Sequence, residues 1–343
     1  MTTPQYALPV GSLILVTGAN GYIGSHVADV LLGLKYRVRG TAREDKPWLN
    51  EFFETKYGKG AFESFVLRDM QDESDWELAM RGIDGVVHVA GDVSMNTDPS
   101  VVIPQTQQAT RNILNAAAKN PQIQRFVLTS SSSAAIIPKA NVKGAVIDQS
   151  KGTYNDEAVA AAWGNETPEV SKGFVVYAAA KTEGERAAWE WNKDTNPGFV
   201  LNTVLPNYNV GEILVPKYQH GSTMGFVRSF WKDNYFAFDT MPPQYYVHVR
   251  DCARLHAVAL LDSSIKNERI FAFAYEFNWT DVIGILRTLR PNKTFQDPPK
   301  NEGRDYTVVT GRERAESLLK SFFGQDGWVD LETGLAEGIE DLD

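Results

Sequence analysis

The chain has a single cysteine, Cys252, among 343 residues. One thiol makes no intrachain disulfide framework, which suits a reducing cytoplasm. Cys252 follows Asp251 and precedes an apolar helical stretch, so it reads as packing and not as a nucleophile. No run of 18 apolar residues exists, so nothing is expected to span a membrane. Basic residues form no long runs, and a formal net charge of −9 with a pI near 5.2 argues against nucleic acid as a partner. Met1 to Val10 holds two prolines and no charged stretch with an apolar core behind it, so no signal peptide is expected. There is no internal repeat, no low-complexity tract beyond one run of serines, and no metal site is expected.

What is present begins with Thr17-Gly18-Ala19-Asn20-Gly21-Tyr22-Ile23-Gly24, directly after the apolar run Leu13 to Val16. The order is strand, glycine loop, helix. Gly18 permits a tight turn, Gly21 lets backbone approach a pyrophosphate, and Gly24 allows helix to pack closely on strand. The helix then offers free N–H groups and a positive dipole end to phosphates. Ile23, Val27, Val30, Leu31 and Leu34 recur at helical spacing, which lays that helix on a sheet. The spacing is G-x-x-G-x-x-G, not the commoner G-x-G-x-x-G.

The next strand is Tyr36 to Ala42. A site for NAD would usually end this strand in Asp or Glu to hold the ribose 2′-hydroxyl. Here Ala42 and Arg43 stand there, with Arg39 nearby. A guanidinium can grip a 2′-phosphate with two hydrogen bonds, whereas a carboxylate would repel it, so NADPH is expected. The alternative is that Arg43 is a solvated charge diverted by Glu44 and Asp45.

Far downstream, Tyr177 and Lys181 stand four apart in a helical pattern from about 176 to 194, so they share one face. An ammonium close to a phenol stabilises the phenolate, and such a phenol can pass its proton to a developing alkoxide. Arg125 to Ser133 reads as a buried strand ending in hydroxyls. One serine there can hydrogen-bond a carbonyl oxygen as charge builds on it, but spacing alone does not say which.

Further strands are expected at 64–67, 86–90, 126–129, 199–205 and 269–274, with helices between, for example over 101–118. Strand alternating with helix means α/β: a Rossmann-type doubly wound parallel sheet with a smaller, discontinuous substrate-binding lobe. Residues 1–206 would form mainly the dinucleotide-binding domain, joined by pieces from about 245–290. Residues 207–244 and 292–343 would form the lobe, with a strand near 246–249 and a helix near 312–322. The long connection over 137–172 reads as a binding loop or lid. Candidate pocket residues are Ser94, Ser133, Trp163, Asn207, Thr223, Phe226, Met241, Gln244 and Tyr245, apolar and aromatic walls with a few polar groups. Gln244 falls in a stretch too irregular for a core strand, stiffened by Pro242 and Pro243.

Thr17 to Gly24, Arg39 to Arg43, Asp69-Met70, His88-Val89-Ala90, Thr129-Ser130-Ser131, Tyr177 to Lys181, Leu205 to Tyr208 and Tyr246 to Asp251 together resemble the extended short-chain dehydrogenase/reductases over essentially the whole length. Within that group the chain looks most like fungal NADPH-dependent carbonyl reductases of the aldehyde reductase II and methylglyoxal reductase kind. Met241 to Val247 is similar to red-yeast members, and plant dihydroflavonol reductases are more distant. The resemblance implies that the catalytic serine is Ser131, the second after the threonine, and that Tyr177 and Lys181 complete the set, with Asn112 assisting the lysine. It implies Asp69 and Met70 around the adenine, Val89 and Ala90 near the nicotinamide ribose, Thr129 beside the cofactor and Pro206 against the nicotinamide. It implies a cytoplasmic monomer or homodimer that takes a small-molecule carbonyl substrate. Two other readings stand beside it: an NAD-dependent nucleotide-sugar epimerase or dehydratase, and a non-catalytic dinucleotide sensor.

Overall fold

The structure is a computed structural model, and the residues it describes are 5–343. Residues 1–4, the start of the stretch in which no signal peptide is expected, lie outside them. In chain order the strands are β1 (Leu13–Thr17), β2 (Arg37–Ala42), β3 (Phe62–Val66), β4 (Gly85–His88), β5 (Arg125–Thr129), β6 (Val146–Ile147), β7 (Val200–Pro206), β8 (Tyr208–Val210), β9 (Gln244–His248), β10 (Arg269–Ala272), β11 (Tyr275–Phe277) and β12 (Val308–Val309). The helices are α1 (Tyr22–Gly33), α2 (Pro47–Tyr57), α3 (Glu73–Ala79), α4 (Pro99–Ala118), α5 (Asp156–Trp163), α6 (Glu169–Thr195), α7 (Thr223–Ser229), α8 (Phe236–Thr240), α9 (Val249–Leu261), α10 (Trp279–Leu289), α11 (Arg312–Phe323) and α12 (Leu331–Gly338).

Seven strands form one parallel sheet in the order β10-β7-β5-β4-β1-β2-β3. The chain winds outward from β1 in one direction, then returns to begin again at β4. The carboxyl ends of β1 and β4 therefore flank the switch point, where doubly wound sheets bind ligands. Alternation along each strand feeds two cores. Ile14, Val16 and Val127 pack with Val27 and Leu31 of α1 and with Leu255 and Val258 of α9. Leu13, Leu15, Phe126 and Leu128 pack instead with Ile113 and Leu114 of α4 and Ala188 of α6. Among the described residues no helix is long and apolar enough to cross a membrane.

The expected fold class is what the chain adopts, with different element ends. α6 begins at Glu169 and not near 176, so Tyr177 lies well inside a 27-residue helix. The connection over 137–172 is not an open loop: it contains β6, paired in parallel with β12, then α5 and the first turn of α6. Gln244 opens a regular strand, β9, which pairs with β8 and β11 in a separate small sheet. Sequence irregularity there reflected Pro242 and Pro243 just before the strand, not the strand itself.

A buried ion pair joins three parts of this frame. Glu185 of α6 meets Arg269 of β10 at 2.8 Å, with side chains 1% and 8% exposed. The same carboxylate accepts from Thr203 of β7 at 2.9 Å and from Ser130, just past β5, at 2.8 Å. Arg269 also donates to the Thr153 carbonyl at 2.8 Å and lies over the Tyr154 ring. Removing one partner of such a pair strands the other charge. Glu185→Ala is therefore expected to lower stability by about 3–5 kcal/mol in urea unfolding. A loss under about 1 kcal/mol would show that water reaches Arg269.

Candidate active site

The glycine loop is built by contacts a larger residue would block. Gly18 takes φ +64, and a Cβ there would stand 3.2 Å from the Ala90 Cα. A Cβ on Gly24 would stand 2.2 Å from the Gly18 carbonyl oxygen. Gly21 caps α1 without a side chain, so no side-chain acceptor covers the first-turn N–H groups. Thr41 braces the loop from β2: its hydroxyl accepts from the Gly18 N–H at 3.2 Å and its carbonyl from the Ala19 N–H at 3.0 Å. Buried Gln219 donates to the Asn20 and Gly21 carbonyls at 3.1 and 3.3 Å. The Tyr22 side chain points away from the loop's open side: its hydroxyl donates to the Gly211 carbonyl at 2.8 Å. At the helix start Tyr22 and Ile23 offer backbone N–H groups that no side chain caps. Thr17 links the two strand ends at the switch point, its hydroxyl accepting from the Val89 and Ala90 N–H groups at 2.9 and 3.0 Å.

Two expected cofactor and catalytic contacts are corrected. Arg39 is already committed: it pairs with Glu63 at 2.7 Å and donates to the Ala79 and Arg81 carbonyls at 2.8 and 2.7 Å. Its side chain leaves β2 toward α3, away from the strand's end. Arg43 is exposed and has no hydrogen bond or ion pair among the described residues; Glu44 pairs with Lys46 instead. Asn112 is the second correction. It is buried, accepts from Gln108 at 2.6 Å and donates to the Met70 and Gln71 carbonyls at 3.4 and 3.3 Å. It fastens the turn after β3, where Asp69 accepts from the Gln71 N–H at 2.8 Å, and makes no hydrogen bond to Lys181 among the described residues. The face of α4 that meets α6 carries Thr106 and Thr110, packed against Gly184.

The serine run is divided by its contacts. Ser130 donates to Glu185. Ser131, in extended conformation, caps a short 3-10 turn over Ser132–Ala134. Its Oγ accepts from the Ser133 N–H at 3.2 Å and from the Ser133 hydroxyl at 2.9 Å. Lys181 donates to the Thr129 carbonyl at 3.3 Å, and Gly91 lies against its ammonium. Tyr177 is half-buried beside Phe174, one helical turn before Lys181, and its hydroxyl makes no hydrogen bond among the described residues. Strand end, 3-10 turn and α6 thus bring Ser131, Tyr177 and Lys181 to the same edge of the sheet. Pro206, at the end of β7, is buried along that edge.

The hollow beside Tyr177 is only about 10 Å³, walled by Asp92, Ser94, Met95, Asn96 and Val102. Met95 has φ +56, and its carbonyl rests where Gly173 has no Cβ; a methyl there would stand 2.4 Å from that oxygen. The 91–98 loop therefore lies across Tyr177. Of the expected pocket residues Ser94 alone lines this hollow. Trp163 is 55% exposed at the end of α5. Asn207 and Thr223 bond to backbone around β8, Phe226 packs on the core, and the Met241 carbonyl accepts from Trp279. Gln244 bonds back to the Pro242 carbonyl, and Tyr245 donates to the Thr307 carbonyl. These contacts hold the lobe together. A roomier open hollow of about 520 Å³, lined by Tyr246, Tyr275, Asp281 and Ile285 among others, contains none of Ser131, Tyr177 and Lys181; the chemistry, not the volume, marks the site.

The residues present fit a dinucleotide. A glycine cradle meets uncapped N–H groups at the switch point, and a free guanidinium stands at the end of β2. The chain matches the family model described as NAD dependent epimerase/dehydratase over residues 14–272. It is 40% identical to the ketoreductase nvfG of Aspergillus novofumigatus, over 99% of each chain. It is 40% identical to the aldehyde reductase 2 of Sporidiobolus salmonicolor, over 98% of this chain and 96% of that one. Its fold matches the yeast methylglyoxal/isovaleraldehyde reductase Gre2, solved with NADPH, at a TM-score of 0.77 and 22% identity over 96% of this chain and 98% of that one.

Three buried histidines lie beneath and beside this site. Burial holds His88 down at about 3, with the Lys181 ammonium adding to it. Burial likewise lowers His26 and His256 to about 4. Each stays neutral in the folded chain while the unfolded chain takes up a proton near 6.5. Stability is therefore full above pH 6.5 and falls as pH drops from there toward 4, by ~1 kcal/mol per pH unit for each histidine. The urea midpoint should fall clearly between pH 7 and pH 5, and less steeply in a His88→Asn variant. A flat profile across that range would mean that these rings are protonated when folded.

Proposed function

Because the chain belongs to the NAD dependent epimerase/dehydratase family of extended short-chain dehydrogenase/reductases, we propose that it reduces aldehydes and ketones to alcohols with NADPH. The observation that carries this reading is the common sheet edge of Ser131, Tyr177 and Lys181, next to the glycine cradle. The names of two relatives at 40% identity, ketoreductase and aldehyde reductase 2, support a carbonyl substrate.

NADPH, when bound, supplies a hydride to the carbonyl carbon. The Ser131 hydroxyl donates to the carbonyl oxygen and stabilises the charge that gathers there. Tyr177 passes its phenolic proton to the same oxygen. Lys181, one helical turn on, stabilises the phenolate left behind and holds the nicotinamide ribose. The uncapped start of α1 takes the pyrophosphate. Arg43 takes the 2′-phosphate with a guanidinium that no carboxylate occupies, and Ala42 leaves no acid to repel it. The NADPH in the yeast reductase supports that cofactor. The epimerase or dehydratase reading is weaker, since it expects an acid at the end of β2; tightly bound NAD in the purified protein would favour it.

Tyr177→Phe keeps the ring and removes the proton, so kcat should fall by about 10²–10⁴-fold with NADPH affinity nearly intact. A variant keeping more than about a tenth of wild-type kcat would show that another group supplies the proton. For the cofactor, Arg43→Ala should raise the KM for NADPH by about tenfold or more while NADH kinetics barely change. Steady-state assays with both cofactors decide it, and equal effects on the two would remove Arg43 from the phosphate site.

A further inference from the structure

Ser131 is held as more than a helix cap. A serine hydroxyl has one proton to give and two lone pairs to receive with. The N-cap bond from the Ser133 N–H, at 3.2 Å, uses one lone pair. The Ser133 hydroxyl, at 2.9 Å, uses the other. Ser131 is then left with only its proton to offer, and that proton has no acceptor among the described residues. Both serines are buried, at 8% and 3% exposure, so water does not compete freely for these positions. The turn that carries Ser133 is itself pinned. Buried Asn155 donates its side-chain N–H to the Ser133 carbonyl at 2.8 Å and its backbone N–H to the Ala134 carbonyl at 2.9 Å.

We infer that Ser133 is a positioning residue: by filling the second lone pair of Ser131 it commits that hydroxyl to donate to the substrate oxygen. The inference rests on the reading of Ser131 given above. A hydroxyl that accepts two hydrogen bonds also donates a stronger one, because successive bonds polarise each other. Ser133 touches neither substrate nor cofactor in this scheme. Its effect passes entirely through Ser131, which separates it from a role in holding the turn together.

The test is a double-mutant cycle on kcat for carbonyl reduction. Ser133→Ala should lower kcat by about three- to tenfold, with KM for NADPH and the thermal midpoint unchanged. Ser133→Thr, which restores a hydroxyl, should recover most of the loss. In a Ser131→Ala background, Ser133→Ala should change kcat by less than about twofold, since there is no Ser131 hydroxyl left to orient. Ser133→Cys keeps the volume with a weaker donor, and it carries the same expectation if the alanine variant does not fold. Wild-type kcat in folded Ser133→Ala would overturn the inference alone, and so would an undiminished effect in the Ser131→Ala background. Wild-type turnover in Ser131→Ala would instead overturn the reading of Ser131, and this inference with it.

Discussion

The carboxylate of Glu185 is the point on which the site's geometry depends. It lies on the α6 face that also carries Lys181 and Tyr177, one and two turns further toward the helix start. Through Arg269, Thr203 and Ser130 it reaches β10, β7 and the end of β5. Helix and strand ends are thus fixed against each other one residue away from Ser131. An ion pair this deep is costly to desolvate, and its neighbours answer that cost by satisfying every oxygen: each accepts at least two hydrogen bonds. What the pair contributes beyond stability is alignment, because α6 cannot slide along the sheet without breaking the bonds to three partners, Ser130, Thr203 and Arg269.

A second set of bonds ties the lobe to the glycine loop. Tyr22 and His26 of α1 hold the backbone at Gly211 and Glu212, and Gln219 reaches back to Asn20, Gly21 and Ser25. The glycine loop is therefore shaped from outside its own strand–turn–helix unit. The glycines make the approach sterically open, and one side chain nearly 200 residues away, Gln219, braces it. Across the sheet edge, the 91–98 loop lies over Tyr177 with Met95 in a left-handed conformation that non-glycine residues rarely adopt.

Much of this was legible in the residues themselves. Short-range signals worked well: the apolar run before Thr17, the helical recurrence from Ile23 to Leu34, the four-residue spacing of Tyr177 and Lys181. Each depends only on neighbours along the chain, so periodicity and glycine placement report it directly. Element ends were less legible. α6 starts earlier because Pro168 and Glu169 open it, and its first turn, with no strong apolar recurrence, gave little signal. Arg39 and Asn112 depart from expectation for a different reason. Both have the chemistry of a ligand contact, and both spend it on a carbonyl or carboxylate from another element, which no local pattern reveals.

The sequence by itself determined the strand and helix order, the parallel sheet, the glycine cradle and the residue types that carry the chemistry, because these follow from periodicity and from what each side chain can donate or accept. Only the tertiary structure decided which of several equivalent groups is free to act. Four serines stand in a row, yet one bonds Glu185, one bonds its neighbour and one caps the 3-10 turn. Two arginines flank the end of β2, yet one is consumed by Glu63 and two carbonyls. A polar group's role depends on which partners the fold has already given it, and those partners come from segments that meet only when the chain is packed.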